Sequence, residues 1–196
     1  MDDRHFFDKL APTWDSNEEK STPEKVSMIL DLIGLQEGDQ VLDLGTGTGV
    51  LLPFIAQRIG NEGRITAVDY SSGMLERAKE KFKDLMPAPE FLNNDFENEN
   101  IEGEFDKIIL YCVYPHLHTP IDTLKWLRKV NLKPDGSIII AFPCSEDFIN
   151  NIHKDRHSES DLLPSAPALA AILEKNGLSA EVLASGDQAY VVRIKN

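Results

Sequence analysis

Three aspartates lie in, at the end of or just after successive apolar stretches of the sequence. Their negative charge and regular spacing suit them to hold a positively charged ligand. Asp43 lies inside VLDLGTGTG, Asp69 ends ITAVD and Asp95 follows FLNN. If each stretch is a strand of one parallel sheet, the three carboxylates lie at its carboxyl edge, where open α/β sheets bind ligands. Such a rim attracts a cation and repels a pyrophosphate, so the sequence predicts a cofactor with positive charge and no phosphate.

The turn beside the first aspartate contains Gly45, Gly47 and Gly49. A phosphate-binding P-loop requires Gly-Lys-Ser/Thr after its last glycine, whereas Val50 and Leu51 follow here. A dinucleotide-binding turn has the pattern G-x-G-x-x-G/A, and this turn has G-x-G-x-G instead. The sequence therefore argues against a P-loop and weakens the dinucleotide interpretation, which stays open.

Strands and helices that alternate along the chain must position these residues. Short apolar runs separated by helical patterns predict an α/β fold with a doubly wound, mostly parallel sheet of about seven strands. The short polar turn Gly186-Asp187 predicts a C-terminal hairpin, which gives the sheet an antiparallel strand. The predicted strands are Gln40–Leu44, Arg64–Asp69, Glu90–Asn93, Asp106–Tyr111, Ser137–Phe142, Ala180–Ser185 and Ala189–Ile194.

The helices are predicted from caps and from the spacing of apolar residues. Ser21-Thr22-Pro23-Glu24 is a capping box with proline in the first turn, and it predicts a helix that runs through Ile33. We expect a single domain over residues 1–196, of which 1–35 form a helical extension. The helices of the sheet are predicted at Gly49–Ile59, Gly73–Leu85, Thr119–Asn131 and Ala166–Asn176.

The composition is that of an acidic protein. Asp and Glu number 33 against 20 Lys and Arg, which gives a formal charge of −13. This charge disfavours nucleic acid and anionic membrane surfaces as partners. No stretch is long enough to span a bilayer, and we expect Cys112 and Cys144 to be buried with the strands rather than to form a disulfide framework. We expect a cytoplasmic protein, either a monomer or a homodimer.

Four motifs in register carry a resemblance to a known family. VLDLGTGTG, ITAVDYSSGMLERA, NNDF and LKPDGSIII together resemble a class I S-adenosylmethionine (SAM)-dependent methyltransferase. The opening FFDKLAPTWD resembles the N-terminal part of the small-molecule, quinone-biosynthesis branch, and the resemblance extends from about Phe6 to Phe142. It implies SAM as the cofactor and a small molecule as the methyl acceptor.

The resemblance implies a role for each motif residue. The glycine turn would approach the methionine part of SAM, with Asp43 holding its amino group, and Asp69 would accept from the ribose hydroxyls. Tyr70 and Met74 would pack on the adenine faces, and Asp95 would accept from the adenine amino group. The implied cofactor-binding residues are Asp43, Gly45, Thr46, Gly47, Gly49, Asp69, Tyr70, Met74, Asp95, Phe96 and Tyr111.

The stretch LYCVYPHLHTP, after the fourth strand, contains the candidates for acceptor chemistry. In-line methyl transfer depends on alignment of the reacting atoms, and a base is needed only if the acceptor atom must lose a proton. His116 is the first candidate for a general base or substrate-orienting residue, and Tyr114 is the second. In the resembled family the N-terminal part also contacts the substrate, and Phe6, Phe7 and Trp14 would form a lid there.

Alternatives from other classes stay open. One is a NAD(P)-dependent oxidoreductase, although the sequence has no Tyr-x-x-x-Lys pair. Another is a SAM-binding sensor or docking protein without turnover. Cysteines and histidines near the same sheet edge raise the question of a metal or a thiophilic substrate, but their spacing matches no zinc template, so no metal is predicted. These residues are Cys112, Cys144, His116, His118, His153 and His157.

Overall fold

The computed structural model describes residues 3–17, 21–153 and 162–196. Its strands form one seven-stranded sheet in the order β3-β2-β1-β4-β5-β7-β6. Strands β1 to β5 pair in parallel, and β7 runs antiparallel to both of its neighbours. This confirms the predicted fold class. The strands are β1 Gln40–Leu44, β2 Arg64–Asp69, β3 Glu90–Asn93, β4 Phe105–Tyr111, β5 Leu132–Phe142, β6 Ala180–Gly186 and β7 Ala189–Lys195.

Helices precede the sheet and cover both of its faces. The side chains of the central strands alternate between two buried clusters, which explains why these strands are continuous apolar runs. In β4, Ile108 and Leu110 belong to one cluster and Ile109 belongs to the other. The helices are α1 Asp3–Leu10, α2 Trp14–Asn17, α3 Pro23–Ile33, α4 Leu52–Ile59, α5 Ser72–Lys81, α6 Pro120–Val130, α7 Glu146–His153 and α8 Ala166–Lys175. None of the described helices is long and apolar enough to cross a membrane.

Several predicted boundaries were wrong, and each error has a local cause. Strand β5 begins at Leu132 rather than Ser137, because Leu132 pairs with Phe105 of β4 across an irregularity in the register. Helix α4 begins at Leu52 rather than Gly49, so Pro53 lies in its first turn, where proline costs no helical hydrogen bond.

Three further corrections concern helices. Helix α5 ends at Lys81 rather than Leu85, and α7 is a helix that the sequence interpretation did not predict. Helix α3 is capped by Thr22 rather than Ser21, since the Thr22 hydroxyl accepts a hydrogen bond from the Lys25 N–H at 3.4 Å.

Candidate active site

A pocket of about 520 Å³ lies at the carboxyl ends of β1, β2 and β4. This size is within the range of small-molecule sites. Its wall combines the glycine turn, the acids at the strand ends, two aromatic residues that precede the sheet, and the loop after β4. The predicted site residues that line it are Asp43, Gly45, Thr46, Gly47, Asp69, Tyr70, Met74, Asp95, Phe96, Tyr111 and His116.

Two predicted site residues lie away from this wall. Gly49 has φ +86°, and a Cβ there would approach the Phe82 ring and the Leu52 side chain at 2.8 Å, so its lack of a side chain serves packing. Tyr114 is 8% exposed and lies in the core cluster with Phe142. Burial raises the pKa of the Tyr114 phenol, so the phenolate that a general base requires is harder to form than in a solvated tyrosine.

The glycine turn leaves room for a ligand at one position. Gly45 and Gly47 have φ values of +70° and +56°, in the left-handed region that favours glycine. A side chain at Gly45 would overlap Val113, whereas the nearest atom to a Cβ at Gly47 is the Trp14 Nε1, 4.0 Å away. Gly47 is therefore the glycine of this turn that faces open space in the pocket.

Asp43 and Asp69 are buried carboxylates at the base of the pocket. Asp43 is 1% exposed and accepts a hydrogen bond from the Thr46 hydroxyl at 2.6 Å. Burial raises its pKa to about 7, and repulsion from Asp69 adds to the shift. Asp69 accepts from the Gly47 N–H at 2.8 Å and the Ser71 N–H at 2.9 Å.

Burial also raises the pKa of Asp69 to about 6, against hydrogen bonds that lower it, and repulsion from Asp8 contributes to the rise. Within residues 3–17, 21–153 and 162–196, no Lys, Arg or His forms an ion pair with Asp43 or Asp69. Two neighbouring buried carboxylates without a cation are unfavourable, and a positively charged ligand would relieve this.

The far end of the pocket is shaped by the turn after β3. The Asp95 backbone carbonyl accepts from the Asn98 N–H at 2.8 Å, and the Asp95 carboxylate accepts from the Asn98 side chain at 3.0 Å. Asn93 joins the ends of β2 and β3 by donating to the carbonyls of Asp69 and Tyr70, both at 3.0 Å. These bonds hold Asp95 and Tyr70 at the same end of the pocket.

Aromatic residues that precede the sheet cover the pocket. We call residues 3–17 the N-terminal segment. Phe7 and Trp14 of this segment line the pocket, and their ring centroids are 5.7 Å apart. The Phe7 ring also lies 6.0 Å from Tyr70 and 5.4 Å from His116, so it bridges the two sides of the pocket. Phe6 packs edge-on against Phe7 and is not among the described pocket-lining residues.

Two carboxylates fasten the N-terminal segment to the elements that bear the site. Asp8 accepts from the Ser71 hydroxyl at 2.6 Å and from the Gly73 N–H at 3.1 Å, both at the start of α5. Asp15 accepts from the Thr48 hydroxyl of the glycine turn at 2.5 Å. The N-terminal segment, which is predicted to cover the pocket, is therefore attached through both α1 and α2.

Glu97 is a pocket-lining residue that the sequence interpretation missed. Its side chain is 10% exposed and accepts from the backbone N–H groups of His118 and Thr119, each at 3.0 Å. It also contacts His118 Nδ1 at 3.0 Å and accepts from the Thr123 hydroxyl at 3.1 Å. Burial raises the pKa of Glu97, but these hydrogen bonds outweigh it and hold the pKa below its usual value.

Glu97 thus caps α6 from another element. The residue before that helix, Thr119, makes no capping hydrogen bond with its own side chain. A local pattern in the sequence assigns the cap to Thr119, and no local signal points to Glu97.

The cysteines and histidines that the structure describes do not gather into a metal site. In the part of the chain that the structure describes, no group of three or more His, Cys, Asp or Glu side chains is arranged to hold a metal ion. Cys112 is half-buried and Cys144 is buried, and neither forms a disulfide with a described residue. His157 and the side chain of His153 lie outside the described residues.

Comparison with known proteins relates the chain to methyltransferases. Residues 41–136 match the family described as a methyltransferase domain. The chain is 34% identical over 148 residues to a 2-phytyl-1,4-naphtoquinone methyltransferase of Trichormus variabilis, a match that covers 70% of this chain and 62% of that protein. The chain is similar to SAM-dependent methyltransferases. Three solved structures of the same fold, at 16% identity, are complexes with SAM or S-adenosylhomocysteine.

Other methyltransferases show similarity over part of their length. The identity is 30% over 154 residues with a malonyl-[acyl-carrier protein] O-methyltransferase of Priestia megaterium, covering 78% of this chain and 53% of that protein. The identity is 27% over 137 residues with protein-L-isoaspartate O-methyltransferase 2 of Archaeoglobus fulgidus, and this match covers 69% of this chain and 59% of that protein. The chain therefore spans roughly half to six-tenths of the length of these relatives.

A solved structure of similar length supports the fold throughout the chain. A SAM-dependent methyltransferase from Aquifex aeolicus is 25% identical, with a TM-score of 0.72 and coverage of 99% of this chain and 98% of that one. A putative methyltransferase solved in complex with the Haloferax volcanii activator Trm112 has a TM-score of 0.76 at 19% identity, with 96% of each chain covered, which shows the fold alone.

The pocket fits the charge of SAM. SAM carries a sulfonium and an ammonium group, and the buried Asp43 and Asp69 supply negative charge without a protein cation beside them. The space in front of Gly47 allows a ligand to approach the backbone of the turn. The half-buried Phe96 and the buried Met74 offer the apolar surface that an adenine ring needs.

Proposed function

We propose that the protein transfers a methyl group from SAM to a small-molecule acceptor. The observation that carries this proposal is the pair of buried carboxylates, Asp43 and Asp69, beside the open side of the glycine turn. A cationic cofactor lowers the cost of ionising both groups, whereas the pyrophosphate of a dinucleotide would add negative charge in the same place. The charges of the pocket therefore favour SAM over NAD.

The residues that would hold SAM follow from this arrangement. Asp43 would hold the amino group of its methionine part, and Asp69 would accept from the ribose hydroxyls. Tyr70 and Met74 would pack against the adenine, with Asp95 as the acceptor for its amino group. When bound, SAM supplies a methyl group activated by a positively charged sulfur.

The chain's own contribution to the reaction is to exclude water and to orient the acceptor. The remaining wall is mostly apolar, so the acceptor is proposed to have an apolar or aromatic body, as a quinone precursor has. His116, in edge contact with Phe7, is proposed to orient the acceptor or to take its proton. The apolar residues of this wall include Phe7, Val113, Leu117, Phe142 and Ile149.

The proposal extends to the domain organisation, substrate class, location and oligomeric state of the protein. Residues 1–196 are proposed to form a single methyltransferase domain, with the extension 1–35 acting as its lid. The net charge of −13 supports a small molecule rather than a nucleic acid as substrate. Two cysteines without a disulfide between described residues support a cytoplasmic location, and the protein is proposed to be a monomer or a homodimer.

Calorimetric titration of the purified protein with SAM, S-adenosylhomocysteine and NAD tests the proposal. Micromolar dissociation constants for the two adenosyl ligands, with no heat for NAD, are the expected result. Binding of NAD alone would overturn it in favour of an oxidoreductase. A screen of phenols, quinols and amines with methyl-labelled SAM then tests turnover, and binding of SAM without a labelled product would favour a sensor or docking protein.

A further inference from the structure

Three consecutive residues of the turn after β3 line the pocket, namely Asp95, Phe96 and Glu97. The Asp95 carbonyl accepts hydrogen bonds from the Asn98 N–H at 2.8 Å and from the Glu99 N–H at 2.7 Å. The three lining residues therefore belong to one turn that backbone hydrogen bonds close. A ligand that contacts Asp95 or Phe96 restrains the backbone that carries Glu97.

The Glu97 carboxylate attaches this turn to the chain after β4. One of its oxygens accepts from the His118 N–H at 3.0 Å. The other accepts from the Thr119 N–H at 3.0 Å and from the Thr123 hydroxyl at 3.1 Å. Only 10% of the Glu97 side chain is exposed, and hydrogen bonds to a charged acceptor are stronger than those between neutral groups. These bonds fix residues 118 and 119 relative to the turn after β3.

We call residues 112–119 the β4 loop, and different elements hold its two ends. At the first end, the Cys112 N–H donates to the Ala141 carbonyl of β5 at 2.9 Å. At the second end, the backbone donates to Glu97. The start of the β4 loop is therefore fixed to the sheet, whereas the position of its end depends on the turn after β3.

The part of the β4 loop between these attachments contributes to the pocket wall. Val113, His116 and Leu117 are among its pocket-lining residues. The His116 N–H donates to the Val113 carbonyl at 2.9 Å, so these two residues belong to one tight turn. Because His118 follows this turn after a single residue, the position of the Glu97 carboxylate affects where the His116 ring lies in the pocket.

We propose that Glu97 is a positioning residue that couples cofactor binding to the placement of the β4 loop. The inference rests on the proposed function, in which the adenine of SAM contacts Asp95 and Phe96. The bound cofactor restrains the turn after β3, and Glu97 then holds the β4 loop, with His116, in one position. The wall that receives the methyl acceptor is complete only when the cofactor is present, so the cofactor binds before the acceptor.

Amide hydrogen exchange measures this coupling without a known methyl acceptor. In the parent, saturating S-adenosylhomocysteine should slow exchange of the His118 and Thr119 amides about tenfold, because it restrains the turn that carries the carboxylate they donate to. In Glu97→Gln an NH₂ group that cannot accept replaces one oxygen, and the slowing should be less than about twofold. Mass spectrometry of peptides that cover residues 113–121 follows the exchange, with peptides of β7 as the reference for global stability.

A purely structural cap predicts a different result. If Glu97 only stabilised the start of α6, Glu97→Gln would speed exchange by the same factor with and without the ligand, and the ratio of the two rates would equal that of the parent. Glu99→Gln is the matched control, because it removes the charge of an exposed residue in the same turn. This control should keep the ratio of the parent.

Calorimetric titration of each protein with S-adenosylhomocysteine sets the saturating concentration and separates this inference from the proposed function. If the parent does not bind the ligand, the proposed function fails and this inference fails with it. If the parent binds the ligand and exchange of the β4 loop does not change, the function stands and the coupling is overturned without any variant. An equal ratio in Glu97→Gln and in the parent also overturns it, whereas a decrease confined to Glu97→Gln supports it.

Discussion

Asp43 and Asp69 couple protonation of the pocket to folding and to ligand binding. Burial raises their pKa values from 3.8 to about 7 and about 6. Because the folded pKa values lie above the unfolded ones, the stability linked to these groups is fully present below about pH 4 and is lost as the pH rises through about 6 and 7. A cationic ligand binds more tightly to the ionised carboxylates. Ligand binding therefore becomes stronger as the pH rises, whereas the stability linked to these groups becomes weaker.

The first prediction concerns Asp43→Asn, which removes one of these ionisations. Between about pH 5 and about pH 8, the unfolding temperature of the unliganded parent should fall more steeply than that of the variant. In the same pH range, the affinity of the parent for SAM should increase. Scanning calorimetry and titration at a series of pH values check both trends. Parallel stability curves for parent and variant would contradict the predicted linkage.

The second prediction concerns Asp69. In Asp69→Asn the side chain keeps an acceptor oxygen but loses its charge, so SAM affinity should fall about tenfold or more while the protein stays folded. Asp69→Ala should in addition lower stability, because the N–H groups of Gly47 and Ser71 lose their acceptor. Asp106→Asn, at the opposite end of β4, is a control that should leave SAM affinity unchanged. Equal SAM affinities in the parent and Asp69→Asn would show that the cofactor is placed wrongly.

The third prediction separates two glycines of the same turn. Gly47→Ala should cost about 1 kcal/mol of stability for its positive φ, and it should weaken SAM binding because it fills the open space. Gly49→Ala should cost about 2–4 kcal/mol, because its Cβ would overlap Phe82 and Leu52. Urea unfolding and SAM titration of both variants distinguish the roles. Greater loss of stability in Gly47→Ala than in Gly49→Ala would contradict this assignment.

At the scale of elements, the start of α6 depends on a residue far from it in the sequence. Glu97→Ala should lower the free energy of unfolding by about 1–2 kcal/mol, since the N–H groups of His118 and Thr119 lose a charged acceptor. Glu99→Ala, an exposed change in the same turn, should stay within about 0.5 kcal/mol of the parent. Equal unfolding curves for Glu97→Ala and the parent would show that Thr119 or water replaces the cap.

The elements that local sequence predicts well are the short strands in the first half of the chain. The predicted bounds of β1, β2 and β3 agree with the structure, because each is a short apolar run that ends in a polar turn. Strand β5 was predicted too short, because Lys133-Pro134-Asp135-Gly136 has turn chemistry that pairing with β4 overrides. The α7 helix was missed because the polar stretch that contains it favours a loop.

The site was predictable where each residue acts through its own strand. Asp43, Asp69 and Asp95 were found because the ends of parallel strands meet at one edge of the sheet. Asp8 and Glu97 act through contacts with residues distant in sequence, and only the tertiary structure brings those partners together. The same limit explains Tyr114, whose side chain lies in the core although its neighbours in sequence line the pocket.

At the scale of the whole molecule, the formal charge of −13 determines which macromolecules the protein avoids. We predict that labelled single-stranded RNA and duplex DNA show no change in fluorescence anisotropy with the protein at physiological salt, because phosphate contacts need a basic surface. A basic DNA-binding domain serves as the positive control. Saturable binding that weakens as salt is added would contradict the prediction and point to a nucleic-acid substrate.

The order of the last two strands has a consequence for how the chain folds. Among the described strands, β6 pairs only with β7, while β7 lies between β6 and β5. A nascent chain that has emerged only as far as Gly186 therefore has no place in the sheet for β6. The two strands can join as a hairpin, which forms within microseconds through local contacts, and the hairpin then docks on a nucleus of β1, β4 and β5. The ligand-bearing half of the sheet can thus assemble on the ribosome before this hairpin arrives.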